Sequence, residues 1–185
     1  SGRDLRFASL AGVSLRGADL SRARLAMANL AGCDLAGADL RGAELARANL
    51  TGATLAGVDL SGLDLEMTLL QRADLTGASL RGAQLRMTQL IGARLSRADL
   101  THAFLHAASL DGAILDGAIL DGAVLASLDL SGCDLRGLRL AGLSLTYCSF
   151  RGASLQGVDL SGCDLTGASF LDADLRQARL CGARL

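Results

Sequence analysis

Leucine recurs at every fifth position of this chain, from Leu5 to Leu185, and only Phe150 and Phe170 replace it. The 185 residues therefore form 37 consecutive pentapeptides without an insertion or a deletion. A period of five matches neither the 3.6-residue repeat of an α-helix nor the two-residue repeat of a flat strand. A fixed internal repeat held over the whole chain predicts a solenoid, in which each unit buries its apolar face against its neighbours.

The positions around each leucine predict a short extended segment followed by a turn. The residue two places before the leucine is small, as at Ala18, and the residue just before it is usually polar, as at Asp19. This alternation places the small residue and the leucine inward and the polar residue outward. All 23 glycines stand two places after the leucine position, the third place of a four-residue turn, where a type II turn requires a positive φ.

A longer period of twenty residues is visible in the exceptions to the glycine rule. Fourteen units carry another residue at the third turn position, and eight of these recur every twenty residues. We call these eight the corner ridge: Phe7, Met27, Arg47, Met67, Met87, Ala107, Ser127 and Tyr147. Twenty residues are four pentapeptides, which predicts a four-sided coil with the ridge along one corner. Because the ridge avoids glycine, we expect its turn to lack the positive φ of the other corners.

The tripeptides at residues 18–20, 28–30 and 98–100 are Ala-Asp-Leu, Ala-Asn-Leu and Ala-Asp-Leu. They resemble the Ala-(Asp/Asn)-Leu-X-X pattern of the pentapeptide repeat family, and the resemblance covers all 37 units. It implies an all-β fold, a right-handed quadrilateral β-helix with four pentapeptides (20 residues) per coil. At a strand spacing of ~4.8 Å, about nine coils would form a rod roughly 45 Å long. We expect residues 1–185 to form a single β-helix domain of a longer bacterial protein.

Composition and charge exclude several classes of partner. With one tyrosine, four phenylalanines and no tryptophan, the chain offers few platforms for stacking nucleic-acid bases. Its eighteen arginines are interleaved with nineteen acids, so no basic stripe forms and we expect no direct nucleic-acid binding. No apolar stretch is long enough to span a membrane. Four cysteines at inward positions predict free thiols and a reducing, cytoplasmic location: Cys33, Cys133, Cys148 and Cys163.

No arrangement of reactive side chains predicts catalysis. The two histidines, His102 and His106, fall at successive corners of the predicted coil, and Asp111, Asp116 and Asp121 fall on three different corners. A metal site needs its ligands on one face, so neither group predicts one. The glycines are spaced as turn residues and do not cluster as in a phosphate-binding loop. We therefore expect neither an enzyme nor a cofactor.

Two groups of residues are candidates for a protein contact. The corner ridge holds all three methionines and the one tyrosine at an outward position, and Leu69 adds an apolar residue beside it. It is either an adaptable interaction surface or a row of side chains that stack on one another between coils. The second group carries apolar residues where Asp or Asn is expected: Phe104, with Val124 above it, and Ile114 and Ile119 around the coil. A second copy of the chain is one candidate partner for these four.

The sequence thus predicts a non-enzymatic protein-interaction or scaffold module of a bacterial protein. The alternative comes from the family resemblance, since its best understood members protect DNA topoisomerases and imitate a DNA duplex in shape and negative charge. For this chain, that alternative is a DNA mimic that binds gyrase. Arginines are interleaved with the acids and the chain lacks a dominant acidic face, which disfavours the mimic.

Overall fold

The chain winds into a β-helix with a period of twenty residues. A computed structural model describes residues 2–185, in which there is no helix and no strand longer than a single bridging residue. A turn follows every fifth residue, and in most repeats the residue before the leucine forms a parallel bridge to a residue twenty positions away, as Asp19 does with Asp39. The five-residue and twenty-residue periods predicted from the sequence therefore correspond to turn spacing and bridge spacing.

The bridges sort the extended segments into four ladders, which we name by their first leucine. The Leu5 side begins with the bridge Asp4↔Arg24, and the Leu10 side with Ser9↔Asn29. The Leu15 side begins with Ser14↔Asp34, and the Leu20 side with Asp19↔Asp39. The ridge corner lies between the Leu5 and Leu10 sides, because Phe7 stands between those two leucines.

Leucine columns fill the interior of the coil. From Leu25 to Leu165 nearly every repeat leucine is fully buried, together with the small residue two places before it. Phe150 and Phe170, which replace two of the leucines, stack with ring centroids 4.9 Å apart and planes 6° apart. The stacking confirms that residues twenty apart lie directly above one another in the core.

Inward polar residues tie several coils to the coil below. The hydroxyl of Thr88 donates to the carbonyl of Leu65 at 2.8 Å, and the thiol of Cys133 donates to the carbonyl of Leu110 at 3.0 Å. All four inward cysteines are free and buried, as predicted, and Cys181 is exposed. Burial raises the pKa of Cys133 to about 12, so this thiol keeps the proton that it donates.

The ridge corner uses the same turn conformation as the other corners. The amide of Ala8 donates to the carbonyl of Leu5 at 3.1 Å, and the third turn residue, Phe7, has a φ of 61°. Met87 and Tyr147 have φ values of 56° and 59°, in the same left-handed region as the glycines. The expectation of a different turn was wrong. The side chain at this place points away from the coil, so a residue with a Cβ is accommodated at a cost of roughly 1–2 kcal/mol.

The outward aspartates cap the turn that follows them. In Asp39, Oδ1 accepts the amide of Arg41 at 3.1 Å, and both carboxylate oxygens accept the guanidinium of the same arginine, at 2.9 and 2.7 Å. This two-residue motif recurs at Asp4, Asp134 and Asp174. The bidentate arginine lowers the pKa of Asp39 to about 2.

The ladders are interrupted at defined places. The longest break separates a lower rim, residues 113–125, from an upper rim, residues 134–145, on the Leu15, Leu20 and Leu5 sides; we call it the slit. Within residues 2–185, Ile114, Ile119 and Val124 form no bridge to the coil above, whereas Ser109↔Asp129 forms on the Leu10 side. A shorter break separates Asp39 and Glu44 from the residues twenty positions later.

Candidate protein-contact site

The fold brings the ridge residues to one corner and exposes their side chains. Phe7 is 70% exposed and Tyr147 68%, while Met27 and Met87 are 50% and 45% exposed. Arg47 is also exposed, and Met67 is half-buried. Each of these six residues carries its side chain on a positive φ. The ridge is therefore an outward row of large, mainly apolar side chains held on a strained backbone.

Side chains at this turn place lean toward the turn of the following coil. A Cβ built on Gly167 would lie 2.6 Å from Cδ1 of Tyr147, and one built on Gly42 would lie 3.5 Å from Cγ of Arg22. The ring of His102 covers Gly122 in the same way. By this geometry we expect Phe7 to lean toward Met27 and Met67 to lean toward Met87. The side chain of Tyr147 thus packs on the following coil and still stays exposed to solvent.

Leu69 extends the ridge onto the Leu10 side. It occupies an outward position two residues after Met67, where most units have a polar residue, and it bridges to Asn49 below and Gln89 above. Its side chain is half-buried. The apolar surface is therefore widest at the level of Met67 and Met87.

The charged residues that precede ridge members are neutralised by close partners. Arg6, next to Phe7, forms a bidentate pair with Asp4, whose pKa falls to about 2 because of it. Glu66 and Arg86, next to the two adjacent methionines, pair with each other at 2.6 Å. Among the ion pairs of residues 2–185 none involves Arg47. The ridge thus presents apolar side chains and one unpaired cation.

The second predicted group lies around the rod and does not gather on one face. Phe104 and Val124 bridge each other on the Leu5 side, as predicted, whereas Ile114 is on the Leu15 side and Ile119 on the Leu20 side. All four are between 42% and 48% exposed. Ile114, Ile119 and Val124 follow the lower rim of the slit, which the sequence analysis did not foresee. The available signal was leucine at the small inward positions 138 and 143, opposite this rim.

The sequence profile described as pentapeptide repeats matches this chain in eight copies, over residues 4–35, 33–70, 68–106, 88–126, 105–141 and 148–185. The matched ranges cover almost the whole chain. The protein belongs to the pentapeptide repeat family, whose members are right-handed β-helices. No curated protein matches the chain. In residues 2–185 there is no helix with the length and apolar character needed to cross a membrane.

Several solved structures are similar to the chain. HetL, a pentapeptide repeat protein involved in heterocyst differentiation regulation from the cyanobacterium Nostoc sp. strain PCC 7120, is 31% identical over 100% of this chain and 87% of its own, with a TM-score of 0.33. Full-length QnrB1, a plasmid-mediated fluoroquinolone resistance protein, is 22% identical over 96% of this chain and 91% of its own, with a TM-score of 0.56. A trypsin-treated form of QnrB1 is also 22% identical, covers 100% and 87%, and has a TM-score of 0.57. The QnrB1 structures support the β-helical fold.

Proposed function

We propose that this protein is a non-enzymatic, protein-binding module of the bacterial cytoplasm, built as a four-sided rod of about nine coils. Its contact surface is the corner ridge together with Leu69. The observation that carries the proposal is the conformation of the ridge: large side chains stand on a positive φ at one corner, where glycine fills the same place on most other turns.

The backbone strain at the ridge supports a binding role for these side chains. A non-glycine residue in the left-handed region costs roughly 1–2 kcal/mol. Phe7, Met27, Met87 and Tyr147 retain this cost although their side chains are exposed to water, and Met67 retains it in a half-buried side chain. Backbone strain that is kept at an exposed apolar surface favours a binding role over a purely structural one.

The chemistry of the ridge indicates the kind of partner. Methionine side chains adapt to irregular apolar surfaces, and the ion pairs beside Phe7 and between Glu66 and Arg86 leave little net charge on the flanks. Arg47 contributes a single cation within the row. A partner should therefore offer a mainly apolar groove with an acidic residue at the level of Arg47.

Paired substitutions at matched turn positions test the proposal. Met27→Ser with Met87→Ser removes two exposed ridge side chains, and Arg72→Ser with Arg97→Ser changes two residues with the same positive φ away from the ridge. Both variants and the original chain are immobilised and used to capture proteins from a bacterial lysate. The proposal expects a specific partner to be lost with the ridge variant and retained with the control. Equal capture by all three folded proteins would contradict it.

A second candidate function is gyrase protection by imitation of DNA. Asp19 and Asp39 bridge each other on the Leu20 side, which supports a partial acidic ladder on a rod with a fold similar to that of QnrB1. Arg41 neutralises Asp39 on the same side. A gyrase supercoiling assay with a fluoroquinolone separates the two functions. Protection at a stoichiometric concentration of this protein would favour the DNA mimic.

A further inference from the structure

The slit interrupts backbone pairing on three of the four sides of the coil. One coil below it, the amides of Leu95, Leu100 and Leu105 donate to carbonyls of the lower rim at 2.7, 2.8 and 2.8 Å. The corresponding amides of the lower rim have no backbone acceptor within the described chain: Leu115, Leu120 and Leu125. A row of unpaired strand groups inside a solenoid is exposed to water or to another chain.

Open grooves follow the slit. A cavity of about 370 Å³ lies between residues 117–121 and Arg139, and a second of about 240 Å³ lies between residues 112–116 and Arg136. A third, of about 470 Å³, continues past Leu138 and Leu143. Arg139 is the one outward residue of the repeats in residues 2–185 that bridges to neither neighbouring coil. The two rims are therefore separated by space and are not merely misaligned.

Large inward residues explain where the ladders break. Leu138 and Leu143 occupy places that are alanine in the coil below, at Ala118 and Ala123. Extra methylenes in a packed interior displace the backbone around them. The shorter break has the same cause, since Val58 and Leu63 stand in the coil above it. The bridge between Ile114 and Asp134 is also missing, although the inward residue beside Asp134 is Cys133. This gap is continuous with the wider gap at Leu138.

The Leu10 side behaves differently and stays paired. It accepts Leu128 inward, as it accepts Thr68 and Thr88 in earlier coils, and the amide of Leu110 still donates to the carbonyl of Asp129 at 2.7 Å. The amide of Gly112 also reaches the carbonyl of Ser131 at 2.9 Å. One side of the coil thus holds the two rims together while the other three are free.

We propose that the slit is a seam at which the rod opens, with residues 2–125 and 134–185 moving as two blocks about a hinge on the Leu10 side. The hinge adjoins the ridge corner at Ala107 and Ser127, the two ridge members with small side chains. Opening the seam changes the angle between the ridge from Phe7 to Met87 and the ridge at Tyr147. The rod therefore has an adjustable curvature whether or not the ridge binds a partner.

Residue-resolved hydrogen exchange on the full chain tests the seam. The amides of Leu115, Leu120 and Leu125 should exchange on the order of tenfold faster, or more, than those of Leu95, Leu100 and Leu105, because the second group is paired in the same coil geometry. Each control leucine lies on the same side as its test leucine and is buried like it, and the exchange rates are compared after correction for the neighbouring residues. Equal protection of the two groups would overturn the proposal.

A restoring variant tests the cause. Leu138→Ala with Leu143→Ala returns the small residue to both places and should slow exchange at Leu120 and Leu125 toward the rates of Leu100 and Leu105. Leu128→Ala, on the side that is already paired, should leave those two amides unchanged. Unchanged or faster exchange in the folded double variant would refute the seam. If the double variant does not fold, the comparison within the original chain decides.

Discussion

The ring of Tyr147 covers Gly167 so closely that a Cβ at position 167 would lie 2.6 Å from Cδ1 of the ring. Tyr147 is the last member of the corner ridge, and Gly167 is the residue that follows it one coil later. The glycine thus serves two purposes: it adopts a φ of 70° without strain, and it leaves room for the ring of Tyr147 that covers it.

Gly167→Ala should therefore destabilise the protein more than Gly152→Ala, which has a similar φ of 63° but no atom within 4 Å of its Cβ. The conformational cost common to both is about 1 kcal/mol. Displacing the ring should add roughly 0.5–1.5 kcal/mol at position 167. Chemical denaturation measures both, and Tyr147→Ala should remove the extra cost in a double-mutant cycle. An excess that persists without the ring would show that the contact is not its source.

Substitutions at Met87 test the left-handed turn of the ridge. Met87→Gly should leave the free energy of unfolding within about 1 kcal/mol of the original, because relief of strain offsets the lost side-chain contacts. Met87→Val should lower it by about 1–2 kcal/mol, because a β-branched residue is poorly accommodated at a φ of 56°. Thermal and denaturant unfolding give the comparison. A Met87→Val variant as stable as the original chain would indicate that the turn has no positive φ at this position in solution.

Acid should destabilise the protein between pH 4 and 2. Hydrogen bonds from arginine lower the pKa of Asp39 and Asp174 from 3.8 to about 2. A folded-state pKa below the unfolded one stabilises the fold above the unfolded pKa, and this contribution is lost as the pH falls through the folded pKa. Asp39→Asn with Asp174→Asn keeps an oxygen acceptor for the turn amide but does not titrate. Its unfolding temperature should fall less than that of the original chain over this range; an identical fall would contradict the assignment.

Thiol reactivity should distinguish the exposed cysteine from the inward ones. Burial raises the pKa of Cys133 to about 12 and that of Cys148 to about 11, so both remain protonated and inaccessible in the folded protein. A thiol reagent at pH 8 should modify Cys181 rapidly and the other four only after unfolding. In Cys181→Ser the rapid phase should disappear. A rapid phase that survives this substitution would mean that an inward cysteine is accessible.

The sequence predicted the solenoid because the leucines mark the buried core positions and the glycines mark the turn positions. The sequence also predicted that the ridge lies along one corner. Residues such as Met27 and Met67 are separated by a multiple of twenty, and they share a corner as long as the coils stack in register. The sequence did not predict the positive φ of Met87. The absence of glycine suggests a different turn, whereas the structure keeps the same turn and tolerates the strain of a side chain there. The slit could not be predicted from the repeat pattern, because the effect of Leu138 and Leu143 on backbone spacing depends on the coil beneath them.

The bridges between residues twenty positions apart also bear on how such a protein changes over evolution. A duplication or loss of twenty residues, such as 66–85, would leave every remaining residue on its own side and alter only the length of the rod. An insertion or deletion of five residues would move every later residue to the neighbouring side of the coil. The row that contains Phe7 and Tyr147 would then be divided between two corners. Selection that preserves a continuous row of side chains would therefore tolerate insertion of whole coils and eliminate insertion of single pentapeptides.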